Sequence, residues 1–123
     1  MQVVKLIVIA LVALEHLYFM YFEMFAWETI GKRTFKSLPE HLFVPTKTLA
    51  ANQGLYNGFL SAGLIWSLLI TDVNWSNNVA LFFLSCVTIA GLYGAVTASK
   101  RIFFVQALPA IIACLLIAVE GKL

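Results

Sequence analysis

The sequence has little charge and few residues that break helices. Only 11% of its 123 residues are charged and three are proline, whereas 62% are hydrophobic. A soluble domain is typically about 45–50% apolar and about 25% charged. A chain this short cannot bury so much apolar surface in a core of its own, so we expect much of it to face lipid. The length leaves room for a single integral membrane domain, residues 1–123, and for no separate soluble module.

Cysteine and histidine are also scarce, which argues against several kinds of site. The two cysteines, Cys86 and Cys114, fall in apolar runs, as buried residues do, and do not suggest a disulfide framework. The chain has no HxxxH, ExxH or CxxC spacing, no Ser-His-Asp set and no phosphate loop. We therefore expect neither a metal site nor a cofactor. Nucleic acid is not an expected partner either, because no basic stripe exists outside one loop.

Four apolar stretches are long enough to cross a bilayer, whose hydrocarbon core takes about 20 helical residues. The sequence therefore predicts an all-α fold, a bundle of four transmembrane helices. Their approximate ranges are 3–25, 46–70, 78–98 and 102–119. The first two are joined by a long loop, in which Ser37-Leu38-Pro39-Glu40 has capping-box spacing and predicts a short helix ending before Pro45.

Basic residues are concentrated at one end of this predicted bundle. Six lie in or beside the first and third connections: Lys32, Arg33, Lys36, Lys47, Lys100 and Arg101. Only Lys5 and Lys122 lie on the other side. The positive-inside rule then places the long loop in the cytoplasm and both termini outside. We expect the first helix to be retained, because its apolar run is longer than that of a signal peptide and no cleavage site follows.

Two ionisable residues, Glu15 and His16, lie side by side in the middle of the first predicted helix. Such residues cost about 2.5–3.5 kcal/mol at mid-membrane and mark function by default. Further polar residues fall in the cytoplasmic half of the predicted bundle: Glu23, Asn52, Gln53, Asn57, Tyr93 and Gln106. His16 and Glu23 are seven residues apart and so share a face, as do Gln53 and Asn57. The sequence therefore predicts a polar pocket there, and an outer half nearly free of polar groups.

Each of these residues also has a purely structural interpretation. Amides and hydroxyls often hold membrane helices together, at about 0.6 kcal/mol per hydrogen bond, and Glu15 and His16 could simply pair with each other or with a neighbour. The glycines are better explained by close helix packing than by chemistry. They are Gly54, Gly58, Gly91 and Gly94.

Several motifs spread along the chain match those of a known family. They are LEHLY (14–18), EMFAW (23–27), ANQGLYNGFL (51–60), AGLYGA (90–95) and VQALPA (105–110). They resemble the domain-of-unknown-function family 1304, small bacterial four-helix membrane proteins, over essentially the whole chain. The resemblance implies a bacterial cell (inner) membrane location and four helices. It implies no activity, but the family's motifs contain the polar residues named above.

The sequence leaves three classes of function open. The protein could bind or transport a small molecule or protons, with Glu15 and His16 exchanging protons and the amides binding the polar part of a ligand. It could be a membrane-embedded enzyme that acts on a lipid-soluble substrate, with His and Glu as acid and base. It could also be a non-catalytic assembly or membrane-stress factor. The expected partners are the lipid bilayer and a small-molecule or lipid ligand, and a homo-oligomer is left open.

Overall fold

The computed structural model of the protein describes residues 1–121. Within that range every regular element is helical, which confirms the predicted all-α class. The elements are α1 (Gln2–Phe25), a π-helix (Trp27–Gly31), α2 (Lys32–Thr34), a 3₁₀ helix (Glu40–Leu42), α3 (Lys47–Leu69), α4 (Val73–Thr97), a second π-helix (Phe103–Ala107) and α5 (Leu108–Glu120).

Among residues 1–121, three helical segments are long and apolar enough to cross a membrane. They are Gln2–Phe25, Val73–Thr97 and Phe103–Glu120. The sequence predicted four such helices, whereas three of the described helical segments have the length and the hydropathy that a membrane span needs. The fourth candidate, α3, has 23 residues, but the polar residues Asn52, Gln53 and Asn57 lower its mean hydropathy.

The chain divides into two compact units, and the first combines Met1–Ala13 with Ala62–Leu123. In it, α4 packs along the second π-helix and α5. Small residues make this packing close, because a Cβ placed on Gly91 would lie 2.6 Å from the backbone nitrogen of Ala107. A Cβ placed on Gly94 would likewise lie close to a side chain, 3.1 Å from Cγ2 of Ile102.

The turn before α4 is tighter than the sequence predicted, because α4 begins at Val73 and not near residue 78. The carboxylate of Asp72 caps the helix by accepting the backbone N–H of Trp75 at 2.8 Å. The hydroxyl of Ser76 then donates to the carbonyl of Ser67 at 2.7 Å and ties the start of α4 to the end of α3. These two bonds satisfy backbone groups that a helix end otherwise leaves unpaired.

The last predicted helix, at about 102–119, is divided in the structure into a π-helix and α5. Pro109 lies in the first turn of α5, where its missing N–H costs nothing in a helix that starts there. The backbone N–H of Leu108 donates to the carbonyl of Phe103, five residues back. The helix is therefore distorted next to Pro109, in the form of a π-turn before the proline.

The second unit, Leu14–Ser61, contains the long loop, which is packed and not extended. The loop packs around a cluster of apolar residues that we call the Trp27 cluster. Its buried members are Phe22, Trp27, Phe43 and Ala50, and the partly buried residues packed against them are Phe19, Ala26, Ile30, Phe35 and Leu38. The indole N–H of Trp27 donates to the Thr46 hydroxyl at 3.0 Å. The short helix expected from Ser37 is reduced to the 3₁₀ turn at Glu40–Leu42, which has no side-chain cap.

Candidate functional site

A buried carboxylate joins α1 to α3. Glu23, near the end of α1, is 2% exposed. Its Oε2 accepts a hydrogen bond from the amide of Gln53 at 2.5 Å, and its Oε1 accepts one from the amide of Asn57 at 2.5 Å. The two donors are one turn apart on α3, so both amides face α1. We call these three residues the amide–carboxylate site.

Glycines allow the two backbones to approach at this site. A Cβ on Gly54 would lie 3.0 Å from Glu23 Cβ, 2.8 Å from Met24 Cγ and 3.1 Å from the Met20 carbonyl oxygen. A Cβ on Gly58 would lie 2.6 Å from Met20 Sδ. The close approach brings the short side chain of Asn57 within reach of the carboxylate, as small residues do at membrane helix contacts.

His16 and Glu15 precede the amide–carboxylate site on α1. His16 is fully buried, on the same face of the helix as Glu23, and its ring meets that of Phe19 edge-on at 5.1 Å. His16 also has an interaction partner within the chain. Glu15, which points to a different face, is half-buried. Two ionisable side chains of α1 are therefore enclosed on one stripe, and a third lies beside it.

The other predicted site residues are distributed differently. Asn52 is exposed, and its amide donates to the Thr48 carbonyl of its own helix at 3.1 Å. Gln53 is exposed although it binds Glu23, so it lines the interior less completely than predicted. Tyr93 is 71% exposed, and Gln106 is half-buried in the second π-helix and has a partner in the chain. Both of these belong to the first unit, not to the unit that holds Glu23.

Sequence reasoning missed a second polar group, the Lys5 cluster. The ammonium of Lys5 lies 2.5 Å from Glu120 Oε2 and 3.0 Å from Asn77 Oδ1, which joins α1, α5 and α4. The sequence predicted few polar groups at the end of the bundle where α1 starts, whereas Lys5, Asn77 and Glu120 meet there and Lys5 is buried. A signal existed, because Lys5 continues the stripe of the buried residues Ile9 and Val12 at helical spacing.

The Glu23 carboxylate can accept more hydrogen bonds than the two that Gln53 and Asn57 donate to it. An ionised carboxylate has about four lone-pair positions for hydrogen bonds, and the two amides occupy two of them. The remaining positions suit a proton, a cation or a hydrogen-bond donor of a ligand. Among residues 1–121, no three His, Cys, Asp or Glu side chains are grouped as ligands of a metal ion would be.

Comparisons with known proteins identify the family. The family model described as "Protein of unknown function (DUF1304)" matches residues 10–118, a range that includes the amide–carboxylate site. The uncharacterised protein YpaA of Lactococcus lactis subsp. lactis (strain IL1403) is 34% identical over 115 residues, which cover 92% of this chain and 95% of that relative. No solved structure matches the chain significantly. The resemblance in the sequence motifs is thus confirmed, and the chain belongs to the DUF1304 family of proteins of unknown function.

Proposed function

We propose that this protein is a single-domain, four-span protein of the bacterial inner membrane that binds or transports a small molecule or protons. The amide–carboxylate site is the binding point, and Glu15 and His16 exchange protons with it along α1. The observation that carries the proposal is the buried Glu23 carboxylate held by two amide donors from α3.

The Lys5 cluster supports the proposal that α3 is a fourth membrane-spanning helix. Lys5 lies near the start of α1, Asn77 near the start of α4 and Glu120 at the end of α5, so these three helix ends meet at one membrane face. A chain that crosses downward in α1 must therefore return before α4 begins. The 23 residues of α3 extend about 34 Å at about 1.5 Å per residue, which is enough for a hydrocarbon core of about 30 Å.

The distribution of basic residues supports the orientation. Both α1 and α4 begin beside the Lys5 cluster, and each leads at its other end into a connection that has basic residues in or beside it, six in all. On the other face Lys5 is ion-paired with Glu120, and Lys122 lies outside the described residues. By the positive-inside rule the loop face is cytoplasmic, and both termini are outside.

The choice of a carboxylate favours a functional role over helix adhesion. Two amides on facing membrane helices could hold them together at about 0.6 kcal/mol per hydrogen bond. A carboxylate in the same place must lose hydration, which costs several kcal/mol unless it is neutralised or paired. Gln53 and Asn57 offset part of that cost without supplying a positive charge. The arrangement is therefore suited to taking up a proton or a cation from outside the chain.

Proton movement can be measured in liposomes that contain the purified protein and a pH-sensitive dye. We expect the wild type to dissipate an imposed proton gradient and Glu23→Gln to fail, because glutamine keeps the shape but cannot ionise. Glu40→Gln is the matched control, since Glu40 is an exposed glutamate outside the membrane helices and its loss should change nothing. Equal fluxes for the wild type and Glu23→Gln would refute transport through Glu23.

Binding without transport has its own test. Detergent-purified protein is screened by thermal shift against monovalent cations and small polar molecules from about pH 5.5 to 8.5, the usual histidine range. Glu15→Gln should flatten the pH dependence of any stabilisation while the fold is kept. Identical pH profiles for wild type and variant would leave Glu15 and His16 with a structural role. An assembly factor would tolerate this change but fail with Gly58→Leu.

A further inference from the structure

The long loop and the first residue of α3 carry more positive charge than the acidic residues between them neutralise. There are two such acidic residues, and a carboxylate oxygen of each lies within 3.6 Å of a lysine ammonium. The two ion pairs are Lys32–Glu40 and Lys47–Glu28. Arg33 and Lys36 are exposed, and neither belongs to an ion pair among residues 1–121. The net charge of the loop is therefore concentrated on these two side chains, which we call the Arg33–Lys36 patch.

An aromatic residue holds the Arg33–Lys36 patch beside the end of α1. Phe35 lies between Arg33 and Lys36 in the sequence. Its ring centroid is 6.1 Å from that of Phe22 and 5.5 Å from that of Trp27. Phe22 belongs to the last turn of α1, which is long and apolar enough to cross a membrane. Since consecutive Cα atoms are about 3.8 Å apart, Arg33 and Lys36 lie within roughly 8 Å of the Phe35 backbone. The patch is therefore close to the end of a membrane span.

Exposed apolar residues at both ends of the loop indicate that it lies at the boundary of the bilayer. Phe25, the last residue of α1, is 74% exposed, and Val44, shortly before α3, is 65% exposed. Side chains of this size gain free energy by leaving water, whereas the charges of the patch need polar surroundings. A segment that combines apolar and basic side chains typically lies where acyl chains meet headgroups. The patch is therefore positioned to contact lipid headgroups.

The charges of the loop select the kind of headgroup. A zwitterionic headgroup carries an ammonium group beside its phosphate, and both acidic residues of the loop are already paired with lysines. An anionic headgroup needs no acidic partner and is attracted to basic residues beside a membrane helix. We propose that the Arg33–Lys36 patch binds the headgroup of an anionic phospholipid of the surrounding bilayer. The Arg33 guanidinium binds the phosphate, and Lys36 supplies a second positive charge. This site is separate from the amide–carboxylate site and does not depend on its function.

A headgroup site differs from a general excess of basic residues in the connections. The positive-inside rule counts lysine and arginine alike. A bound phosphate distinguishes them, because a guanidinium donates two parallel hydrogen bonds whereas an ammonium acts as a point charge. Arg33→Lys therefore keeps the charge and removes the two-bond contact. Arg101→Lys is the matched control, because Arg101 is an exposed arginine of the third connection and lies outside the loop that Phe35 anchors.

The test measures binding from the thermal stabilisation of the protein, purified in an uncharged detergent. The probes are dioctanoyl phosphatidylglycerol, dioctanoyl phosphatidylcholine and inorganic phosphate. We expect phosphatidylglycerol to bind more tightly than phosphatidylcholine by roughly five- to 25-fold, because each basic residue near an anionic surface contributes roughly a factor of five. Inorganic phosphate has no acyl chains to place beside Phe25 and Val44, so it should not stabilise the protein at the same concentrations.

Variants locate the binding. Lys36→Gln should weaken phosphatidylglycerol binding roughly fivefold. Arg33→Lys should weaken it roughly two- to tenfold, the value of one hydrogen bond, and Arg101→Lys should leave it unchanged. All three positions are exposed, and an unchanged helix content by circular dichroism shows that each variant is folded.

Three outcomes would overturn the proposal. Equal affinities for the two lipids would show that the patch does not recognise the charge of the headgroup. Equal affinities of Arg33→Lys and Arg101→Lys for phosphatidylglycerol would show a diffuse attraction and no site at Arg33. Inorganic phosphate that stabilises the protein as strongly as the anionic lipid would show a site for the free anion. Loss of proton flux in Glu23→Gln leaves this result unaffected, so the two proposals fail independently.

Discussion

Replacing Glu120 by leucine should destabilise the protein more than replacing Lys5 by methionine, although each change breaks the same ion pair. The difference follows from what each change leaves behind. The side chain of Lys5 is 3% exposed and that of Glu120 is 20% exposed. Glu120→Leu therefore leaves an ammonium group enclosed with Asn77 as its remaining acceptor among the described residues. Lys5→Met leaves a carboxylate whose Oε2 is buried but whose side chain is 20% exposed.

Measured costs of similar changes set the magnitudes. Removing one partner of a buried ion pair costs about 3–5 kcal/mol, and we expect this for Glu120→Leu. An unsatisfied group that is partly hydrated costs about 1–3 kcal/mol, and we expect this for Lys5→Met. The double variant has no charge to leave unpaired, and replacing both partners by apolar residues is often close to neutral. It should therefore be more stable than Glu120→Leu alone.

The assay is reversible unfolding in mixed detergent and SDS micelles, followed by circular dichroism. It gives the free energy of unfolding of the wild type, the two single variants and the double variant. If Lys5→Met lowers the free energy of unfolding as much as Glu120→Leu does, the argument from side-chain exposure is wrong. A loss in the double variant equal to the sum of the single losses would show that the two side chains do not interact.

Three further predictions concern the rest of the molecule. Glu23→Gln should lower the free energy of unfolding by about 1–3 kcal/mol in the same assay, because one of the two amides loses its acceptor; an unchanged value would contradict the hydrogen bonds at Glu23. Gly91→Ala should lower the free energy of unfolding by about 1–3 kcal/mol through overpacking. The loss should exceed that of Gly58→Ala, because the new Cβ at residue 91 meets the backbone of Ala107, whereas the one at residue 58 meets a flexible methionine side chain. Equal losses for the two variants would count against this packing. A cysteine at Ser37, in a cysteine-free background, should react with an impermeant maleimide only after cells are permeabilised, and rapid labelling of intact cells would reverse the proposed orientation.

What the sequence predicted correctly depends on helical periodicity, which is a local property. The ends of α1 lie within one residue of the predicted range. The depth and spacing of Gln53 and Asn57 indicated that they face the stripe of Glu23, and the structure shows both amides bonded to that carboxylate. Both inferences needed only the spacing of residues within a helix and the alternation of helix directions.

What the sequence did not reveal depends on residues that are distant along the chain or on backbone geometry. The partners of Lys5 are far away in sequence, 72 residues in the case of Asn77, so no local pattern connects them. The π-helices have no sequence period that distinguishes them from α-helix. The start of α4 is of a different kind, because it is a local feature: Asp72 is an ordinary capping residue, and it starts the helix earlier than the prediction placed it.

The Trp27 cluster has a consequence for how the protein is made. All of its members lie between Phe19 and Ala50, so its contacts are local, and local contacts form quickly. Chains fold from the N-terminal side as they are synthesised. The hairpin of α1, the loop and the first turn of α3 can therefore assemble on the ribosome before α4 and α5 exist. The Lys5 cluster, which requires Glu120, can close only after α5 has been synthesised.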